Sequence, residues 1–343
     1  MSPEVVRNLG WDLISGSAHA AVLGMLVLSV RSLLRRHLSP DWRMALGALV
    51  LVRLVWPWQV ATPVSLFNVT ASWLPPINAG SFPIEGWRWG IGIWIVGFAI
   101  RSGLCLADAR RVHRWIQGSR SAEARLTALW NDTLRAGPES LRGVPIRQSP
   151  EVANPCVAGV FRPCLLVPSD LGCRFSPEEI RPMFLHEMAH LRRRDLWLNW
   201  ILELVRMVHW FNPVIGHVLR RWREDREEAC DVHALSAGST DRLLYGRILL
   251  KCLGAGITAE AGLSAVSWSG GSSAAPHSLV HRIRSIARFR PERRTWIVGV
   301  CTLLSVGLIG LTDPEPLPPR RIWLLKPETL SRVLPADWVK PAV

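Results

Sequence analysis

The sequence predicts a mainly α membrane protein with four transmembrane helices and a cytoplasmic α+β domain between the third and fourth helices. Three observations support this fold class. The chain of 343 residues is 49% hydrophobic, and its apolar residues concentrate in separate stretches. Basic residues collect beside those stretches in the way that is typical of multi-pass membrane proteins. Between the last two stretches lies a polar segment in which two histidines stand four residues apart, after the start signals of a helix.

Four apolar stretches are interpreted as membrane spans because each is near the length that crosses a hydrocarbon core. They cover residues 14–30, 44–58, 86–106 and 296–311. The first, second and fourth are shorter than an ideal span of about 20 residues and depend on their flanks. Buried core helices are the alternative, but four stretches without an amphipathic period favour a membrane. Arg53 lies within the second span, where snorkelling or an interhelical pair is favoured over a role in signal coupling.

The basic residues give the orientation of the spans. Arginines follow the first span, follow the third and precede the fourth, whereas residues 59–85 contain neither Lys nor Arg. By the positive-inside rule, the N-terminus lies outside the cell membrane. The predicted domains are a membrane region at 1–106, a cytoplasmic domain at 107–294, a fourth span at 295–312 and a short proline-rich outer tail at 313–343.

The net charge of +14 indicates an anionic partner. Membrane lipids with anionic headgroups fit this charge, because the basic residues lie beside the predicted spans. Nucleic acid is the rival partner, but no recognisable nucleic-acid motif accompanies the charge. We therefore expect lipid contact and no direct binding of nucleic acid.

The two histidines belong to the sequence His186-Glu187-Met188-Ala189-His190, an H-E-x-x-H motif. Residues four apart share one helix face, so both imidazoles can bind one metal ion. Glu187 can then take the proton of a metal-bound water, which is the chemistry of a zinc peptidase. The sequence thus predicts one Zn²⁺ per chain. Start signals for this helix are Ser176 as N-cap, Pro177 and Glu179, and its end at residues 192–195 is expected to be solvated.

A catalytic zinc site needs a third protein ligand and an open position for water. We assign Glu227 as that ligand, and Asp231, four residues on, as the acid that holds the ring N–H of one ligand histidine. Glu228 is the rival to Glu227, while Cys230 is interpreted as packing. An ordinary charged helix face is the alternative for the whole cluster. The oxyanion donor stays open among Tyr245, His233 and His209, for each of which packing or a surface position is the simpler interpretation.

Further elements of the cytoplasmic segment follow from its pattern. Residues 121–136 predict an amphipathic helix, and residues 157–160 and 164–167 predict two strands around a turn. The edge of this pair could bind a peptide substrate, or the strands could form a purely structural sheet. An apolar helix at 196–211 is interpreted as buried or as leaning on the membrane; a fifth span is the alternative, but it would separate Glu227 from His186. Helices at 214–237 and 241–253 precede a Gly/Ser-rich loop at 267–275, which is a candidate site of self-cleavage.

This arrangement resembles the BlaR/MecR-type membrane metallopeptidases over residues 11–311. The local match consists of Pro155-x3-Gly159-x2-Arg162-Pro163, the run His186 to Asp195, Phe211-Asn212-Pro213, and Glu227-x2-Cys230-Asp231. The resemblance implies a gluzincin-like domain with the ligands His186, His190 and Glu227 and with Glu187 as general base. It also implies a substrate, because in characterised relatives the peptidase cleaves a transcriptional repressor, or itself, after an extracellular signal.

Antibiotic-sensing relatives carry a large penicillin-binding domain after the last span, for which residues 313–343 give no room, so we expect no β-lactam receptor and allow for a separate sensor protein. The predicted function is signal transduction by a membrane zinc endopeptidase. The alternatives are a quality-control metalloprotease of the membrane and a non-catalytic signalling scaffold. Glu187 favours an active enzyme, because a scaffold needs no general base.

Overall fold

The computed structural model describes residues 3–55, 61–68, 84–238, 241–254, 282–284, 286–287 and 295–313. The predicted self-cleavage loop at 267–275 and nearly all of the predicted outer tail lie outside these residues. Within the described part the chain is mainly helical, with one small sheet.

Three long helices begin the chain: α1 (Pro3–Leu33), α2 (Pro40–Val55) and α3 (Ile84–Gln117). By length and composition, two helices could cross a membrane, over Arg7–Leu33 and Gly86–Gln117. The last helix, α10 (Thr295–Gly310), is as apolar but shorter. The described residues of the four predicted spans lie on helices, apart from Leu311 after α10, and residues 56–58 of the second span lie outside the described residues. The number of four crossings stays a prediction. Arg53 at the end of α2 pairs with Asp313 after α10, so the interhelical pair is present.

The sheet has four strands in the order β1-β2-β4-β3. Its strands are β1 (Arg120–Ser121), β2 (Ile146–Ser149), β3 (Cys156–Ala158) and β4 (Cys164–Pro168). The predicted pair of strands is confirmed, because β3 and β4 are antiparallel with Val157 opposite Leu165. Strand β3 lies at the edge of the described sheet, so one side of it has no neighbouring strand there. The helix Pro177–Arg193 contacts β3.

The remaining helices frame the candidate site. They are α4 (Ala124–Arg135), α5 (Leu171–Arg174), α6 (Pro177–Arg193), α7 (Asp195–Val208), α8 (Pro213–Gly238) and α9 (Arg242–Gly254), with a 3-10 turn at Glu139–Leu141. Helix α6 begins with the predicted capping box, in which the Ser176 hydroxyl accepts from the Glu179 N–H and the Glu179 carboxylate accepts from the Ser176 N–H. It ends at Arg194, whose φ of 57° turns the chain directly into α7.

Helices α7 and α8 form a hairpin whose turn lies between two apolar helices. The Asn212 side chain donates to the hydroxyl and the carbonyl of Ser17 in α1, at 2.8 and 3.0 Å. On the other side, the Trp94 indole in α3 donates to the Val208 carbonyl at 2.9 Å. Trp210 packs where Gly97 of α3 has no side chain. This hairpin returns α8 to the start of α7, so that Glu227 of α8 lies beside His186 of α6.

Ion pairs also join α8 to the first two helices. Asp225 of α8 pairs with Arg31 of α1 at 2.9 Å and with Arg43 of α2 at 3.1 Å, and Arg43 also pairs with Glu228. Three of these side chains are almost fully buried, and Arg31 is the most exposed of the four. An apolar core with residues of α1, α2, α7, α8 and α10 surrounds them, whereas a second core joins the sheet to α4, α6 and α9.

Candidate metal centre

Two helices meet at the candidate metal centre. Helix α6 supplies His186 and His190, whose Nε2 atoms lie 3.2 Å apart. Helix α8 supplies Glu227, whose Oε2 lies 3.6 Å from Nε2 of His186 and 3.8 Å from Nε2 of His190. Three potential ligand atoms therefore face one point. They do so because α6 and α8 pack along each other through the apolar neighbours of these residues.

The three side chains fit a zinc ion by their chemistry and their spacing. Ligand atoms about 2.1 Å from a tetrahedral zinc lie about 3.4 Å from one another, close to the three separations here. Glu227 is 6% exposed, and its Oε2 accepts no hydrogen bond from the described residues. A buried carboxylate oxygen without a donor is costly unless a cation neutralises it. Two imidazoles and a carboxylate form the donor set of several catalytic zinc sites.

The other ring nitrogens of both histidines face buried acids. Oδ1 of Asp231 lies 3.0 Å from Nδ1 of His186, and Oδ2 of Asp195 lies 2.6 Å from Nδ1 of His190. A carboxylate at Nδ1 fixes the proton there and leaves the lone pair of Nε2 for a metal. The predicted solvated end of α6 is therefore wrong at Asp195, which is 1% exposed, because the turn at Arg194 folds it under His190.

The acids and the imidazoles shift one another's pKa values. Burial lowers the pKa of His186, but the nearby carboxylates of Asp231 and Glu227 outweigh burial and raise this pKa to about 9. Burial raises the pKa of Asp231, but Arg282 and His186 reverse the shift and hold that pKa at about 2. The site is a compact array of opposite charges that are kept from water.

Glu187 lies between the ligand histidines and the sheet edge. It is 5% exposed, and its Oε2 accepts a hydrogen bond of 3.1 Å from the Val157 N–H of strand β3. One of its oxygens lies within 4.8 Å of ring nitrogens of both His186 and His190. Burial raises the pKa of this carboxyl group, which moves it towards the value that a general base needs at neutral pH. The free edge of β3 runs past the same carboxylate.

The structure separates the other candidates. Glu228 turns to Arg43, so Glu227 is the acid beside the imidazoles. Cys230 Sγ lies 3.5 Å from Nδ1 of His190, on the side away from Glu227. The interpretation of Cys230 as packing agrees with this position.

The three proposed oxyanion donors are not brought together. The Tyr245 hydroxyl donates to Asp231 at 2.8 Å and lies 3.2 Å from Nδ1 of His186, so it is behind the ring and not at Nε2. His209 follows the far end of α7, a helix of 14 residues that places it about 20 Å from Asp195. His233 lies two residues beyond Asp231 on α8, where the positive charges of Arg192 and Arg193 act on it. No described contact places any of them at the open side of the site.

Sequence reasoning missed two residues of this cluster. Asp195 is one of them, although it ends the local match to the BlaR/MecR-type proteins. The other is Arg282, which donates to Asp231 through Nε at 2.8 Å and through Nη2 at 2.7 Å. No spacing rule links Arg282 to the motif, since it lies far along the chain from His186.

Comparison with known proteins gives the family. The family described as BlaR1 peptidase M56 matches residues 88–286, from α3 to beyond Arg282. The chain belongs to this family. Its match contains all the residues of the metal centre, so the family assignment and the geometry refer to the same part of the chain.

Relatives with curated names agree with this assignment. The chain is 33% identical over 107 residues to the regulatory protein BlaR1 of Bacillus licheniformis. The aligned region covers 31% of this chain and 18% of BlaR1. The chain is 27% identical over 165 residues to the methicillin resistance mecR1 proteins of Staphylococcus aureus and Staphylococcus epidermidis, which covers 47% of this chain and 27% of those proteins. The chain thus spans less than a third of these relatives. The family and the two long apolar helices together indicate a membrane protein of a metallopeptidase family.

Proposed function

We propose that this protein is a membrane zinc endopeptidase that transduces a signal by cleaving a cytoplasmic protein, such as a transcriptional repressor, or itself. The main support is the position of Glu227, whose unpartnered carboxylate oxygen lies within 3.8 Å of both imidazole nitrogens. Regulatory proteins among the relatives support the signalling role.

In the proposed mechanism, His186, His190 and Glu227 hold the ion, while Asp231 and Asp195 keep both rings in the tautomer that presents Nε2. Bound zinc supplies a Lewis acid for a water and for the scissile carbonyl. Glu187 takes the proton of the attacking water and passes it to the leaving amine. Its raised pKa suits both transfers. The edge of β3 next to Glu187 is the proposed place for an extended peptide, which would compete for the Val157 N–H.

The proposed architecture is that of a four-span membrane protein with a gluzincin-like domain in the cytoplasm. Helices α1, α2, α3 and α10 would be the spans, and the N-terminus and the segment after α10 would lie outside the cell. The hairpin of α7 and α8 would lie partly between the spans, as its contacts with Ser17 and Trp94 suggest. Anionic lipid headgroups would face the basic residues beside the spans.

Glu187→Gln tests the proposed activity. The variant keeps the shape of the side chain but removes the base, so cleavage should fall by about 10²- to 10⁴-fold while zinc content stays at one ion per chain. The measurement is the release of new N-termini from a cytoplasmic peptide library, by mass spectrometry, with detergent-purified full-length protein. Equal cleavage by both proteins would refute Glu187 as the base. Zinc binding without cleavage by wild type would favour the scaffold.

A further inference from the structure

Arg282 brings a distant part of the chain into the metal centre. It lies in a short helical segment, residues 282–284 and 286–287, which follows α9 and precedes α10. The two parallel hydrogen bonds from Nε and Nη2 to Asp231 measure 2.8 and 2.7 Å. Its Nη1 lies 4.0 Å from Oε2 of Glu227. A single guanidinium therefore contacts the acid behind His186 and approaches the third ligand.

The same segment is anchored in the core. Ile286, four residues on and hence on the same helix face, is 4% exposed and belongs to the apolar cluster of α6 and α9. Arg284, two residues on, is exposed to solvent. The segment therefore presents one face to the metal centre, and Arg282 is held there by packing as well as by its hydrogen bonds.

Asp231 needs such a partner to keep its orientation. Three neighbours act on this carboxylate: the Nδ1 of His186, the Tyr245 hydroxyl and the guanidinium of Arg282. Of these, only Arg282 contributes two hydrogen bonds in a plane, which fixes the rotation of a carboxylate where a single bond does not. The rotation of Asp231 in turn sets the plane of the His186 ring.

We propose that Arg282 is a positioning residue of the metal centre, which orients His186 through Asp231 and links the zinc ligands to the segment that leads into α10. This inference rests on the proposed function, because it assumes that His186 binds zinc. Arg282 thus belongs to neither of the two helices that supply the ligands. It lies on the segment that precedes the last apolar helix in the sequence.

The test uses Arg282→Lys, because a lysine keeps the positive charge but loses the planar pair of hydrogen bonds. The control is Arg284→Lys, the same exchange at an exposed arginine of the same segment. Full-length proteins in detergent are titrated with Zn²⁺ against a chromogenic chelator, and the visible spectrum of the Co²⁺-substituted proteins reports the ligand geometry. We expect Arg282→Lys to weaken zinc binding by about tenfold and to change the cobalt spectrum, with no change in the control.

A second pair of variants separates positioning from general destabilisation. If Arg282 acts through Asp231, Arg282→Lys should cause no further loss of zinc affinity in an Asp231→Asn background. Wild-type affinity and spectrum in Arg282→Lys, or the same fold loss in both backgrounds, would overturn the inference and leave the proposed function intact. A folded wild type that binds no zinc would refute the proposed function and the inference together.

Discussion

Replacing Asp195 should weaken the metal centre although this residue is not one of the proposed metal ligands. Asp195 is 1% exposed, and its Oδ2 lies 2.6 Å from Nδ1 of His190, the spacing of a short charge-assisted hydrogen bond. Removing an acid that holds a ligand histidine costs about 10- to 100-fold in metal affinity, or about 1.4 to 2.7 kcal/mol. We therefore expect Asp195→Ala to raise the dissociation constant for Zn²⁺ by one to two orders of magnitude.

The assay is competition for Zn²⁺ with a chromogenic chelator, on detergent-purified protein at fixed pH and salt. Asp132→Ala is the control, because that carboxylate is exposed on α4 and pairs with Arg135 three residues away. Thermal unfolding of both metal-free variants separates a loss of zinc affinity from a loss of fold. A folded Asp195→Ala protein with the zinc affinity of wild type would refute the role of Asp195 in holding His190.

Three further predictions concern the frame around the site. Gly159 has φ of 87°, and a Cβ there would lie 2.5 Å from the Arg162 carbonyl oxygen, so Gly159→Ala should lower the free energy of unfolding by at least about 1–2 kcal/mol, measured by denaturant titration. Ser176→Ala removes the N-cap of α6 and should cost about 1 kcal/mol, measured by the same titration. Hydrogen bonds from Lys251 and the Ser176 N–H lower the pKa of Glu179. The ionised Glu179 should thus stabilise the fold above its usual pKa of 4.5, and this stabilisation should be lost as the pH falls through the lowered pKa of the folded protein. In Glu179→Gln, the melting temperature should depend less on pH in this acidic range.

Local patterns carried most of the correct predictions. The spacing of His186 and His190, the capping box at Ser176 and the strand pair around Gly159 each depend on residues that are close in sequence. Such features need only the period of a helix or the chemistry of a turn, and a single sequence contains both.

The features that the sequence left open or missed depend on contacts between distant segments. Glu227 and Glu228 are neighbours on one helix, and Arg43 of α2 decides which of them turns away from the histidines. Asp195 is buried because one residue with positive φ redirects the chain under His190. Arg282 reaches Asp231 from another segment altogether. No periodicity or motif encodes these pairings, so they require the packed structure.

Tyr245 shows how a correct location can come with an unsupported role. As the only tyrosine of the chain, it is one of the three candidate oxyanion donors. Its hydroxyl lies at the centre but on the Nδ1 side of His186, bonded to Asp231. The sequence shows that a tyrosine is present. The packing of α6, α8 and α9 decides on which side of the His186 ring its hydroxyl lies.

The ion pairs between α8 and the first two helices limit how this chain can be shortened. A fragment that begins at residue 84 would contain the whole metal centre, yet it would leave Asp225 and Glu228 without Arg31 and Arg43. Removing one partner of a buried ion pair typically costs about 3–5 kcal/mol, a large share of the stability of a domain. Asp225 and Glu228 lie on either side of Glu227 in the sequence. The loss of stability would therefore affect the helix that carries the third ligand. A shortened fragment for crystallisation therefore needs neutral residues at both positions, or the first two helices must remain attached.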